Sequence, residues 1–204
     1  MLTTCRLYNT EPQRDSKQVG KYYLPPLIVE RLVYRPTFGT LIKLGLFIEF
    51  FIFDKRINLP EFSEGAQQAI QVISEALATQ NYEALNDLVD AEIIPELKQG
   101  VDKLSPAQRK FIRVTKENLI ILFISELNKE NTKDGKLIKA TVVLYYSHDD
   151  GLMKNGKISF QSLMSNLNEV LVCNYTFERK IINDEIEPWT VKFVNHFSVM
   201  QEEK

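Results

Sequence analysis

The chain is poor in the residues that build metal centres and nucleophilic sites. Its 204 residues include only two cysteines and two histidines, which stand too far apart to form a set of metal ligands: Cys5, Cys173, His148 and His196. The motifs GxxxxGK(S/T), GxGxxG and GxSxG, typical of nucleotide-binding loops and serine hydrolases, are also missing. We therefore expect no metal, no cofactor and no catalytic residue. The scarcity of cysteine argues against a disulfide and favours a reducing compartment.

A hydrophobic run long enough to cross a membrane is missing too. The most apolar segment, residues 37–53, contains Lys43 and Glu49, and as a helix its residues 38–53 would measure about 24 Å, against about 30 Å for a bilayer core. We predict that residues 37–60 associate with a membrane or with the core, as an interfacial helix, a buried helix or a strand. The predicted membrane or client contacts are Phe38, Leu41, Leu44, Phe47, Ile48, Phe50, Phe51, Lys55 and Arg56.

The chain also lacks the basic character of a nucleic-acid binder, since its net charge is -2. That charge is unevenly distributed. Residues 1–60 hold nine Lys/Arg and five Asp/Glu, a balance of +4, and residues 61–204 hold sixteen and twenty-two, a balance of -6. A basic leader on an acidic body suits contact with an anionic membrane surface or docking of the leader on the body. Scatter in a small count explains the asymmetry equally well.

Residues 1–36, the first part of this leader, show no lasting periodicity. Four prolines interrupt them, so we predict an extended or partly disordered lead-in. This segment lacks the charged region followed by an apolar region that marks a secretory signal. Arg6 with two nearby threonines gives only weak support for a mitochondrial presequence.

Residues 61–97 carry the helical signal. They contain eight acidic residues and no Lys or Arg, and their apolar residues recur at helical spacing. The acidic side is either a solvated helical face or a docking surface for basic amphipathic segments. The predicted acidic docking face consists of Glu64, Glu75, Glu83, Asp87 and Glu92.

Capping residues give the predicted helix bounds. Ser63 is a suitable N-cap for a helix to about Gln80, Asn81 for a short helix through Val89, and Asp90 for a third helix. Ser105 followed by a proline predicts a further helix to about Ile112.

Beyond these helices the hydrophobic period changes to two. The predicted strands are Leu119–Leu127, Leu137–His148, Glu169–Arg179 and Trp189–Phe197. Helices followed by about four mainly antiparallel strands indicate an α+β domain over residues 61–204, with the helices on one face of a curved sheet. Aromatic residues of the last two strands are predicted to line a pocket under the sheet: Tyr175, Phe177, Trp189 and Phe193.

The two histidines do not suggest catalysis at this stage. His148 precedes two aspartates and a glycine, which is an ordinary turn composition, although a base with an orienting carboxylate is the alternative. His196 falls on the polar side of its strand and is predicted to be solvated.

Several short motifs resemble the Tim-forty-four-like family, named for the membrane-associated subunit of the inner-membrane import motor. They are the run Glu61-Phe62-Ser63-Glu64-Gly65-Ala66, the following Ala69, Leu85-x-x-Leu88-Val89, Pro188-Trp189-Thr190 and His196-Phe197-Ser198. The resemblance covers roughly residues 37–200 and implies helices on a twisted, cone-shaped antiparallel sheet with a groove or pocket between them.

The resemblance also implies a role. We expect a mitochondrial matrix protein, peripheral on the inner membrane, that is not an enzyme. Its implied partners are m-AAA protease subunits and imported inner-membrane protein precursors, such as the essential regulator of the calcium uniporter, whose sorting and maturation it would assist. Two alternatives stay open: a cone-fold hydrolase or isomerase with a pocket under the sheet, and a membrane tether of the mitochondrial ribosome.

Overall fold

The computed structural model describes residues 22–28, 58–153, 165–183 and 185–199. Its helices are α1 (Leu59–Thr79), α2 (Ile94–Asp102), α3 (Pro106–Ile112) and the single turn α4 (Asp150–Met153), with 3-10 turns at Tyr82–Leu85 and Leu167–Glu169. Its strands are β1 (Leu119–Thr132), β2 (Gly135–Tyr146), β3 (Leu171–Ile182), β4 (Glu185–Ile186) and β5 (Thr190–Ser198). In these ranges no helix is both long and apolar enough to cross a membrane.

Helix α1 is the main element of the helical layer. It begins after Asn58, whose side chain accepts a hydrogen bond from the Glu61 backbone N–H, and Pro60 occupies the first turn, where its missing N–H is harmless. The prediction that Ser63 caps this helix is therefore wrong, because Asn58 supplies an earlier cap. The apolar stripe that faces the sheet is Phe62, Ala66, Ile70, Ile73 and Leu77, all of them buried.

The short helix α3 begins as predicted. The Ser105 hydroxyl accepts from the Gln108 backbone N–H, and the Gln108 side chain accepts from the Ser105 N–H in return, which completes a capping box. The segment predicted to run as a helix to Val89 forms only the 3-10 turn Tyr82–Leu85. Residues 88–90 then form an isolated parallel bridge, Val89 to Val191.

The sheet confirms the predicted α+β class. It has five antiparallel strands among the described residues, in the order β1-β2-β3-β4, with β5 also paired to β3. One face of β3 contributes Leu171, Cys173, Tyr175 and Phe177 to the main core against the helices, as its alternation predicts. Val172 belongs to a second apolar cluster on the other face.

Strands β1 and β2 are longer than the sequence indicated. The polar stretch Lys129–Lys136 was predicted as a loop, but the two strands pair as far as Thr132 and Gly135. The prediction failed because this end of the hairpin projects from the core into solvent, where strand residues need not be apolar. Gly135 is required by a close approach, since a side chain there would collide with the Ile181 carbonyl oxygen.

A bulge in β5 overturns the prediction for His196. Phe177 pairs with Val191 and Thr176 with Phe193, which leaves Lys192 as an extra residue and shifts the alternation beyond it. Val194 and His196 therefore turn toward the helices, and Phe197 joins the cluster on the opposite face. His196 is fully buried rather than solvated.

An extended arm, residues 22–28, completes the core. Leu24, Leu27 and Ile28 are buried in the main cluster. The Asn195 side chain holds the arm by accepting from the Leu27 and Ile28 N–H groups at 2.9 and 3.3 Å and donating to the Ile28 carbonyl at 3.1 Å. The arm also explains Gly100 in α2, where a Cβ would lie 2.5 Å from the Leu27 carbonyl oxygen. The rest of the predicted lead-in and all selected membrane or client contacts, from Phe38 to Arg56, lie outside the described residues.

Candidate docking groove

A groove opens between the first half of α1 and the ends of β3 and β5. Its cavity volume is about 390 Å³. We call it the α1–β5 groove, and its lining residues are Asn58, Glu61, Phe62, Gly65, Ala66, Ala69, Leu88, Phe177, Arg179, Trp189 and Val191. This is the side of the sheet on which the sequence predicts a pocket.

The helical wall of the groove is built from small residues. Gly65 and Ala69 are one turn apart on α1 and both line the groove. A Cβ placed on Gly65 would meet no atom within 4 Å. A glycine inside a helix destabilises it by about 1 kcal/mol relative to alanine, and no crowding at Gly65 requires one. The missing side chain leaves open space beside the α1 backbone at this point of the groove.

Aromatic rings, including Phe62 of α1 itself, line the rest of the groove. The rings of Phe62 and Trp189 lie 4.6 Å apart, and those of Phe62 and Phe177 meet edge to face at 5.6 Å. Packing against one another fixes these rings, and aromatic surface of this kind supplies much of the binding energy in protein interfaces. The groove therefore offers a preformed apolar contact surface.

Arg179 places a positive charge beside these aromatic rings. Its guanidinium carbon lies 4.6 Å from the centre of the Trp189 ring, within the range of a cation–π contact. The Nε atom is buried and has no hydrogen-bond partner in the part of the chain that the structure describes. Desolvation lowers the pKa of Arg179, and the negative charge of Glu61 opposes that shift. The guanidinium thus has unused donor capacity beside an apolar surface.

The four predicted pocket residues lie in different environments. Phe177 and Trp189 line the α1–β5 groove. Tyr175 is fully buried in the main core, and Phe193 packs partly buried against that core. The groove also includes Gly65 and Arg179, which sequence reasoning missed. For Gly65 the sequence did offer a signal, namely a glycine inside a predicted helix that is followed closely by Ala66 and Ala69.

The predicted acidic docking face is mostly open to solvent. Glu64, Glu83, Asp87 and Glu92 are exposed. Glu75 is engaged by its own chain, in an ion pair with Arg113. The positive charge of Arg113 compensates the Glu75 carboxylate, so the predicted face presents less negative charge to a partner.

The buried His196 forms a closed hydrogen-bond network with two tyrosines. Its Nδ1 lies 2.9 Å from the Tyr146 hydroxyl and its Nε2 lies 2.9 Å from the Tyr175 hydroxyl. Tyr146 donates to the Phe111 carbonyl oxygen at 2.9 Å, so it accepts from His196 and the imidazole proton is on Nδ1. Tyr175 then donates to Nε2. Every ring nitrogen is satisfied, and burial lowers the pKa of His196 to about 3.

His148 and its aspartates form no base-and-carboxylate arrangement. The His148 Nε2 atom faces the Phe111 carbonyl oxygen at 3.2 Å, and burial lowers the pKa of this histidine. The Asp149 carboxylate instead accepts from the Leu152 backbone N–H at the start of α4. Across the described ranges no group of three or more His, Cys, Asp and Glu side chains is placed to hold a metal ion.

Comparison with known proteins gives matches over most of the chain. No family model matches it. The human protein "m-AAA protease-interacting protein 1, mitochondrial" is 22% identical over 167 residues, which cover 78% of the chain and 57% of the human protein. The rat and bovine proteins of the same name are each 21% identical and cover 96% of the chain and 68% of their own length. The chain thus spans a little more than half of the human relative.

The matches agree with one another in name and in the span they cover, although their identities are low. They agree with the connection to the m-AAA protease that the resemblance implied. The chain is a distant relative of the mitochondrial m-AAA protease-interacting proteins.

Proposed function

We propose that this chain is a non-enzymatic mitochondrial matrix protein, peripheral on the inner membrane, that binds the m-AAA protease and newly imported inner-membrane proteins. By holding those proteins near the protease it assists their sorting and maturation. The observation that carries the proposal is the shared name of the relatives that match most of the chain.

The α1–β5 groove supports a binding role. It is open, apolar and lined by rings that are already packed, and these properties suit a segment of another protein better than a reaction. We assign the client segment to this groove. The essential regulator of the calcium uniporter is one candidate client, and residues 38–53 are candidates for the contact with anionic lipid.

Affinity purification from mitochondria tests the proposal. The full chain, carrying a C-terminal tag, is recovered from solubilised mitochondria, and the m-AAA subunits are quantified against an untagged control. We expect enrichment of the protease subunits, and of the uniporter regulator while it is being imported. Recovery at the level of the untagged control would refute the proposal.

A groove-filling variant locates the contact. Gly65→Leu places a side chain in open space and keeps the helix, so we expect the fold to persist while client recovery falls. Glu130→Gln at the exposed end of the β1–β2 hairpin is the matched control and should behave as the wild type. Equal client recovery by the Gly65→Leu chain would remove the groove from the proposal.

A further inference from the structure

We propose that the α1–β5 groove selects peptide segments that combine an apolar face with a carboxylate, and that Arg179 binds this carboxylate. The inference rests on the proposed binding function and specifies its partner: an amphipathic helical segment with an Asp or Glu side chain within its apolar stripe.

The Arg179 guanidinium carries the first step of this inference. Arginine has five N–H donors, and its buried Nε has no acceptor among the residues that the structure describes, which is costly in a partly desolvated group. The cation–π contact with Trp189 holds the group beside the groove. A carboxylate is the side-chain group that matches a guanidinium in charge and in its two-pronged geometry.

The small-residue wall indicates the shape of the partner. Gly65, Ala66 and Ala69 leave the α1 backbone accessible, and small residues at such positions allow close approach of a second helix. Leu88, Phe177 and Trp189 offer the apolar contact on the remaining sides. A helix with an apolar stripe fits these surfaces, and its one charged residue would face Arg179.

Glu61 makes it possible to test whether the groove prefers an acidic or a basic peptide. It also lines the groove and its charge acts on Arg179, so it repels a carboxylate and would attract a basic segment. Removing Glu61 should therefore strengthen binding of an acidic segment, whereas removing Arg179 should weaken it. A basic partner predicts both effects with the opposite sign.

Selection of peptides on the purified full chain tests the inference. An mRNA-displayed library of random 16-residue peptides is enriched on the immobilised chain, with a parallel selection on the Arg179→Gln chain. We expect the wild-type pool, and not the Arg179→Gln pool, to converge on apolar peptides with Asp or Glu at helical spacing. Peptides without a carboxylate, basic peptides, or no enrichment at all would overturn the proposal.

The affinities of the selected peptides complete the test. Measured by fluorescence polarisation, the affinity for a selected peptide should fall about ten- to a hundredfold in the Arg179→Gln chain, because a charge-assisted pair is lost. Replacing the acidic residue of the peptide by Gln or Asn should lower the affinity by a similar factor. The two changes combined should cost little more than either alone. Glu61→Gln should tighten binding about two- to threefold. Additive losses, or weaker binding by the Glu61→Gln chain, would contradict the assignment.

A lipid ligand is tested separately. Vesicles of phosphatidylcholine with cardiolipin are sedimented with the wild-type and Arg179→Gln chains, and the thermal unfolding of both is compared. Binding that depends on Arg179 only in the vesicle experiment would overturn the peptide assignment. Since none of these assays contains the m-AAA protease, the selectivity of the groove can fail while association with the protease stands.

Discussion

At the scale of single residues, His196 links burial to acid sensitivity. It is fully buried and its pKa in the folded chain is about 3, against 6.5 for the unperturbed side chain. Between these two values the unfolded chain binds a proton that the folded chain does not. Acid therefore favours the unfolded chain over this range, and the effect disappears above pH 6.5.

We expect the free energy of unfolding to fall by about 1.4 kcal/mol per pH unit on this account as the pH drops from 6 to 4. The His196→Gln chain should lose this part of the slope while being less stable at pH 7. Urea unfolding followed by circular dichroism at several pH values measures both. The His148→Gln chain, changed at a less buried histidine, should keep most of the slope, and equal slopes for the wild-type and His196→Gln chains would contradict the assigned pKa.

Replacing either of two helical glycines by alanine should change the free energy of unfolding, in opposite directions. Gly65→Ala adds a methyl group in open space and should raise the free energy of unfolding by about 0.5–1 kcal/mol through helix propensity. Gly100→Ala should lower it by about 1–3 kcal/mol because the methyl group meets the Leu27 carbonyl oxygen. Urea unfolding of the two variants beside the wild type is the measurement. A shift of the same sign for both would show that the arm does not lie against α2.

At the scale of elements, a serine acts as a cap at one predicted helix start and not at the other. Ser105 caps α3 in a reciprocal box, whereas Ser63 lies inside α1. Ser105→Ala should lower the free energy of unfolding by about 1 kcal/mol, and Ser63→Ala should change it by less than about 0.5 kcal/mol. Thermal unfolding of the two variants checks the difference, and equal losses would count against the assigned caps.

The β5 bulge shows where a local pattern stops being informative. Alternation predicts the faces of β3 correctly, since that strand pairs without interruption with β2. In β5 the extra residue Lys192 reverses the alternation, and its ion pair with Asp90 joins two segments far apart in the chain. No nearby residue announces the bulge, so the environment of His196 was not readable from the sequence.

At the scale of the whole molecule, the arm joins the beginning of the described chain to its last strand. The Ser198 hydroxyl accepts from the Leu24 N–H at 2.7 Å, and the Leu24 carbonyl accepts from the Ser198 N–H at 2.9 Å. These bonds and those of Asn195 connect positions about 170 residues apart. The arm is thus part of the folded domain.

Two truncations measure this contribution. A chain that begins at residue 21 keeps the arm, and a chain that begins at residue 29 exposes the sites of Leu24, Leu27 and Ile28. The shorter chain should be less stable by several kcal/mol, since each buried aliphatic side chain contributes about 1.5–3 kcal/mol. Equal melting temperatures would show that the arm is dispensable. Any deletion intended to remove only the leader must therefore stop before Tyr22.

The predictable part of this molecule is what local pattern controls. The class of the fold, the cap at Ser105 and the inward face of β3 follow from spacing and composition. Long-range contacts decide the rest, as when the Leu27 backbone requires glycine at position 100. Phe177 and Trp189, two of the four residues predicted to line a pocket, lie in the α1–β5 groove, whereas the role proposed for Arg179 depends on the missing acceptor of its Nε among the described residues, which the sequence does not reveal.

The hydrogen bonds that hold the arm have a mechanical consequence. Ile28 is bonded to the Asn195 amide and Asn58 caps α1, so the folded domain anchors the chain on both sides of residues 29–57. A pull on the chain between these anchors would act on the Asn195 amide at one end and on the first turn of α1 at the other. Asn58 also lines the α1–β5 groove, so the second anchor lies at the groove itself.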